Sequence, residues 1–250
     1  MKNIFNMRLT KNYAPYRLFG YATSLALHGG NSIVMFLALR GDIMKDPEIK
    51  TFAALQWAYI TIWNVVFQLA YPCLGILCDL PTLLEIKEHG LIKQLKTYRE
   101  IIFASIILPL GVLISLIFWP IYLYDRELVF PAFIDKVLSQ GSNHIMHTAI
   151  LLIVIWEFMF LPKSAPVSHK INLIHTYGCY FSYLVVLFAT HHRIGAWPYP
   201  FLKLALGTIY FPIIFIGVGI TVCLFYLAQW PINKLVWGTK QNVKENKLKR

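Results

Sequence analysis

Hydrophobic residues in this chain come in long unbroken runs, not in the alternation of a strand or the single stripe of a soluble helix. A run of about 20 mostly apolar residues crosses about 30 Å of hydrocarbon when helical. Six runs reach that length, at 19–39, 52–78, 101–122, 143–161, 171–190 and 205–229. Tyr21, Tyr122, Trp197, Tyr199 and Trp230 fall at or beside their ends, where amphipathic rings favour the membrane–water interface. The pattern predicts an all-α, polytopic membrane protein with six transmembrane helices. Pro72, Pro109 and Pro212 lie within runs and are expected to kink them.

The segment 79–100 reads as an interfacial helix. Leu83, Leu84, Leu91, Leu95 and Tyr98 would face the membrane while Glu85, Lys93 and Lys96 face water. A solvated connector broken at Gly90 is the competing reading. No internal repeat is visible, so an inverted-repeat transporter has no support. Residues 19–237 read as one membrane domain between basic tails at 1–18 and 238–250.

Composition agrees. The 250 residues are 57% hydrophobic and only 14% charged, with a mean hydropathy of +0.56; a soluble domain carries about a quarter charged residues. The net charge of +11 could suggest nucleic acid, but its placement argues for membrane topology. Lys and Arg number four in 1–18, four in 79–100, two in 162–170 and six from Lys234 onward. The intervening segments hold three in 40–51, two in 123–142 and two in 191–204. That excess predicts both termini in the cytosol, which requires an even number of spans. No basic face interleaved with aromatics appears, so nucleic acid is excluded as a partner. Cys73, Cys78, Cys179 and Cys223 all lie in apolar runs and form neither a zinc pattern nor a disulfide framework. The first eighteen residues are polar and basic, so the first run is expected to act as an uncleaved signal anchor. The endoplasmic reticulum and the plasma membrane both fit.

Polar side chains inside spans cost free energy unless partnered, which makes them functional candidates. In the second run, Gln68 lies about 20° around a helix from Thr61, with Asn64 on the adjacent i+3 position. This stripe should face the bundle interior, either as chemistry or as hydrogen-bonding glue between helices. The fourth run opens with Asn143-His144-Ile145-Met146-His147-Thr148. With His191, His192, Asp125 and Glu127, its histidines are expected at one membrane face. Three readings follow. The histidines could be interfacial residues without chemistry; His144, His147, His191 and His192 could ligate zinc or iron; or one could be the base for a hydroxyl nucleophile. At 1.5 Å per residue Thr61 would lie about 14 Å below the end of its span, and His147 about 6 Å below its own.

Three motifs carry a resemblance: Tyr124-Asp125-Arg126-Glu127, Asn143-His144-x-Met146-His147-Thr148, and His191-His192-x-x-Gly195-x-Trp197-x-Tyr199-Pro200-Phe201-Leu202. Together, over about 52–237, they resemble the androgen-induced / androgen-dependent TFPI-regulating protein family. The family consists of multi-pass membrane hydrolases of fatty acid esters of hydroxy fatty acids, with an intramembrane threonine and histidine. By position the resemblance implies Thr61 as nucleophile, with Gln68 seven residues on and Asp79-Leu80 eleven further, and His147 as base. It also implies a lipid ester entering sideways from the bilayer, and no cofactor. Asn64, Gln68 and Asn143 are the expected oxyanion donors. Asp125, Glu127 and His144, with His191 and His192 nearby, are the groups from which an orienting partner would come. Residues before about 52 resemble the family loosely; Ile145 stands where a smaller residue is common, and Pro198 replaces an apolar one, changes expected to reshape the acyl pocket. The alternatives are a His-ligated metalloenzyme and a non-catalytic lipid-binding or regulatory protein.

Overall fold

The computed structural model describes residues 2–87, 89–163 and 165–248, with side chains described within 13–237. The side chains of the expected basic tails, at 1–12 and 238–250, lie outside the described residues. Among the described residues there is no strand. The helices are α1 (Lys2–Ala38), α2 (Pro47–Ala54), α3 (Ile60–Leu83), α4 (Gly90–Tyr124), α5 (Gln140–Phe160), α6 (Lys170–Ile194), α7 (Pro200–Ala205) and α8 (Tyr210–Leu248). Among the described residues five helices are long and apolar enough to cross a membrane: α3, α4, α5, α6, and α8 over Tyr210–Trp237. The chain is an integral, multi-pass helical membrane protein.

Its burial is arranged for a lipid solvent. Ser24, His28, Asn31, Thr61, Asn64 and Gln68 are buried, while Ile33, Phe36, Leu116, Leu152, Phe181, Val185 and Ile216 are exposed. The stripe along α3 therefore faces inward, away from lipid. α1 packs most extensively on α3. The close approach depends on Gly75, because a Cβ there would fall on the Tyr21 ring.

At the end of the bundle opposite Thr61, ionic groups lock four helices together. Arg17 of α1 donates from Nε and Nη2 to the two carboxylate oxygens of Asp79 at 2.7 Å each, and Arg99 of α4 donates to Oδ2 at 2.7 Å. Arg17 also donates to the Phe160 carbonyl of α5 at 2.8 Å. Tyr21 and Tyr71 both donate to Glu157 Oε1, at 2.6 and 2.7 Å. In the loop after α5, Lys163 donates to Gln229 Oε1 at 2.8 Å and lies 4.3 Å above the Phe103 ring. Burial pulls its ammonium down to about 7.

Several elements differ from the sequence pattern. The 52–78 run is not one helix. α2 starts earlier, with Asp46 capping the Glu48 N–H, and a 3₁₀ turn at Gln56–Ala58 follows. Tyr59 is extended, and α3 begins only at Ile60. The break is held by distant hydroxyls: Tyr183 donates to the Ala58 carbonyl at 3.1 Å, and Tyr199 accepts the Ile60 N–H at 3.0 Å. The expected interfacial helix is instead the first part of α4, continuous with the third run from Gly90. Arg99 on it is buried, because Asp79 gives it a counter-charge. Pro109 follows a π turn at Phe103–Ile107. Carbonyls in that turn serve as acceptors between helices, Ala104 for Gln229 of α8 at 2.8 Å and Ser105 for Thr176 of α6 at 2.7 Å. Pro212 falls in the first turn of α8, where its missing N–H costs nothing.

Candidate active site

Because α3 begins at Ile60, Thr61 occupies the first helical turn and not a position two turns into a longer helix. Its shallow position removes the mismatch in depth with His147. A second π turn, Ile145–Ala149, interrupts α5 at His147, and such turns recur at functional sites. Thr61 Oγ1 lies 3.3 Å from His147 Nε2, with both residues buried.

The geometry fixes the imidazole tautomer. His147 Nδ1 lies 3.0 Å from the Asn143 carbonyl oxygen. A carbonyl can only accept, so Nδ1 carries the hydrogen and Nε2 presents its lone pair to the Thr61 hydroxyl. The ring stacks on Phe118, with centroids 3.5 Å apart and planes 16° apart. The His147 carbonyl accepts from Trp119 Nε1 at 3.3 Å. Ring and backbone are both held by α4.

Two apolar cavities meet at this pair. The longer, about 130 Å³, lies between α4, α6 and α8. It is lined along α4 from Phe118 to Ser105, a span of about 20 Å at 1.5 Å per residue. The shorter, about 50 Å³, lies under Val129, Phe130, Ile134 and Leu138 of the α4–α5 loop and against Met35 and Phe52. Thr61, Phe118, Val129, His147 and Tyr199 line both. A reacting group at Thr61 therefore has an apolar arm on either side. Tyr199 stands just before α7, outside the spans, with its ring edge-on to Tyr59 and stacked on Phe201. Burial raises its phenol to about 12.

The other expected site residues are dispersed. Asn64 and Asn143 are fully buried, and their side-chain amides have no hydrogen-bond partner among the described residues. Gln68 is linked through its Oε1 to Ser24 at 3.4 Å. None of these three lines either arm. Asp125 accepts the Glu127 N–H at 3.0 Å, and Glu127 accepts the Ala132 N–H at 3.0 Å. Both carboxylates are exposed and shape the loop that roofs the shorter arm. His144 is exposed, contacts Thr148 Oγ1 at 3.1 Å and stacks on Trp119. His191 stacks on Trp197 at 3.8 Å, and His192 is exposed. The group that orients His147 is thus the Asn143 carbonyl, a backbone atom, and not Asp125, Glu127 or His144. Among the described residues no three His, Cys, Asp or Glu side chains converge as metal ligands, so the four histidines of the metal reading are not brought together.

The sequence model for "FAR-17a/AIG1-like protein" matches residues 26–234. The chain belongs to that family. It is 30% identical over 215 residues to the human protein named "Androgen-induced gene 1 protein", covering 82% of this chain and 87% of the relative. The rat "Androgen-dependent TFPI-regulating protein" is 31% identical over 211 residues, covering 82% and 89%. Its human namesake is 28% identical over 206 residues, covering 81% and 86%. No solved structure matches. The FAR-17a/AIG1-like match begins inside α1, earlier than the motifs indicate, and takes in every residue of the two arms. Tyr199 and Phe118 escaped the sequence-based site. Tyr199 stands in the Trp-x-Tyr-Pro motif, which singled it out without a role. Phe118 is one aromatic among many in an apolar run, and no spacing distinguishes it.

Proposed function

We propose that this chain is an intramembrane carboxylic ester hydrolase with Thr61 as nucleophile and His147 as general base. The carrying observation is the 3.3 Å contact between Thr61 Oγ1 and the unprotonated Nε2 of His147, at the junction of two apolar arms. His147 takes the Thr61 proton as Oγ1 attacks the ester carbonyl carbon. The carbon–oxygen bond to the alcohol breaks, and the alkoxide leaves with that proton. Water, deprotonated in turn by His147, then cleaves the acyl-threonine to a free acid. Esters with a long chain on each side of the carboxyl suit two arms. Fatty acid esters of hydroxy fatty acids, the substrates implied by the family resemblance, have that shape.

In this reading α1 is a sixth span. Its mean apolarity is lowered by Ser24, His28 and Asn31, but these face the protein while Phe19, Ile33, Val34, Phe36 and Leu37 face outward, as a lipid-exposed helix requires. Six spans and the distribution of Lys and Arg put both termini in the cytosol, and Thr61 toward the lumenal or outer face. The endoplasmic reticulum and the plasma membrane fit that topology. The substrate enters from the bilayer, whose lipids surround the exposed apolar faces.

The test is release of hydroxy fatty acid from a branched ester by purified wild type, Thr61→Ala and His147→Ala. Loss of a positioned base costs about 10²–10⁴-fold, and Thr61→Ala should abolish turnover and labelling by a fluorophosphonate. Full activity in either variant would refute the assignment. A purely regulatory chain, as the relatives' name "TFPI-regulating" describes, would leave the ester uncleaved even as wild type.

A further inference from the structure

Attack by Thr61 develops negative charge on the former carbonyl oxygen, in a cavity walled mostly by hydrocarbon. Such charge needs a preorganised donor close to the nucleophile. Asn64, Gln68 and Asn143 do not reach either arm. Most hydroxyls that line the longer arm are already committed. Ser105 donates to the Ile101 carbonyl at 2.6 Å, Thr176 to Ser105 at 2.7 Å, Tyr180 to Phe215 at 2.6 Å and Tyr183 to Ala58 at 3.1 Å. A hydroxyl has one hydrogen, so each would have to abandon a backbone carbonyl in order to donate again.

Tyr199 differs. Its oxygen accepts the Ile60 N–H at 3.0 Å, a bond that leaves its own hydrogen unused. The residue lines both arms, as Thr61 does. We propose that Tyr199 is the oxyanion donor of this site, its O–H bonding to the substrate's carbonyl oxygen as Thr61 Oγ1 bonds to the carbonyl carbon. The proposal rests on the Thr61–His147 reading. Thr61 gives its hydrogen to His147 while Tyr199 keeps its own and donates it. Accepting the first-turn N–H of α3 polarises the phenol and strengthens it as a donor. Tyr59 and Phe201 fix the ring, and Pro200 begins α7 directly behind it.

The experiment compares full-length wild type, Thr61→Ala and Tyr199→Phe in lipid nanodiscs on the same branched ester. Tyr199→Phe should lower kcat by about 10²–10³-fold, the usual effect of losing one oxyanion donor, with KM little changed. A kcat near that of wild type, alongside an inactive Thr61→Ala, overturns the Tyr199 role alone. An active Thr61→Ala or an inactive wild type overturns the underlying reading instead. Because Tyr199→Phe also removes the acceptor for Ile60 N–H, a second variant separates donation from positioning. Replacing Tyr199 with 3,5-difluorotyrosine preserves the shape and makes the phenol more acidic. A donor role requires the protonated phenol, so the alkaline limb of the kcat profile should move to lower pH. A limb that stays where wild type has it, with kcat unchanged, refutes donation.

Discussion

Asp79→Asn removes one charge and almost no volume from a position with no solvent exposure. In the native bundle the Asp79 carboxylate receives three hydrogen bonds of 2.7 Å, two from Arg17 and one from Arg99. Without it, the two buried guanidinium groups lose the carboxylate that bridges them. Breaking a buried pair by removing one partner costs about 3–5 kcal/mol, against a total stability of about 5–15 kcal/mol for a typical folded protein. For a chain of this size that is a fall in Tm of roughly 6–20 °C. The measurement is thermal unfolding of purified protein in detergent, with Asp79→Asn/Arg99→Met alongside. The double variant removes one of the two cations and should recover part of the loss. Asp79 is eighteen residues from Thr61 along α3, or about 27 Å, so kcat per folded molecule should hold. An Asp79→Asn melting point within a degree or two of wild type would refute the claim that this cluster locks α1, α3 and α4 together.

Three further outcomes follow from the same structure. Cys179 lines the longer arm, and in Cys179→Phe the added ring displaces roughly four methylenes of a long acyl chain, about 3 kcal/mol at 0.8 kcal/mol each; the ratio of kcat/KM for long over short acyl chains should fall by about 100-fold, and an unchanged ratio would move the acyl chain elsewhere. Lys163 is held down to about 7 by burial while its unfolded value is higher, so the unfolded chain binds more protons above pH 7 and stability should rise with pH from 7 toward 10; Lys163→Met should flatten that part of the Tm profile, and an equal slope in both would discount the lysine. Gly75→Ala drives a Cβ into the Tyr21 ring and should cost about 1–3 kcal/mol in unfolding experiments, whereas Gly178→Ala, with open space at its Cβ, should be neutral or stabilising by about 1 kcal/mol.

Much of the bundle is legible in the sequence because lipid leaves few solutions: long apolar runs become helices, and a polar stripe on one of them turns inward. Thr61, Asn64 and Gln68 follow that rule. Arg17, Asp79 and Arg99 are harder to read. Each stands at or beyond the end of an apolar run, where a charge is ordinary, and nothing in the spacing says that three helices bring them together without water. The orienting group of His147 was out of reach for a different reason, since a backbone carbonyl has no signature in a sequence.

The break before α3 is the most consequential of these differences. Nothing local demands it: the run 52–78 contains no glycine or proline near Tyr59, and its residues tolerate a continuous helix. What stabilises the extended Tyr59 is tertiary, through Tyr183 bonding to Ala58 from 125 residues away and Tyr199 to Ile60 from 139. Those bonds replace helix hydrogen bonds that the break forfeits, and they move Thr61 from a span interior to a first turn. The same two tyrosines line the cavity in which Thr61 and His147 meet. Removing the Tyr199 hydroxyl would therefore act on both the shape of the α3 terminus and the chemistry beside it. That coupling makes a fluorinated phenol, which changes acidity and leaves the packing alone, a more discriminating probe than any deletion.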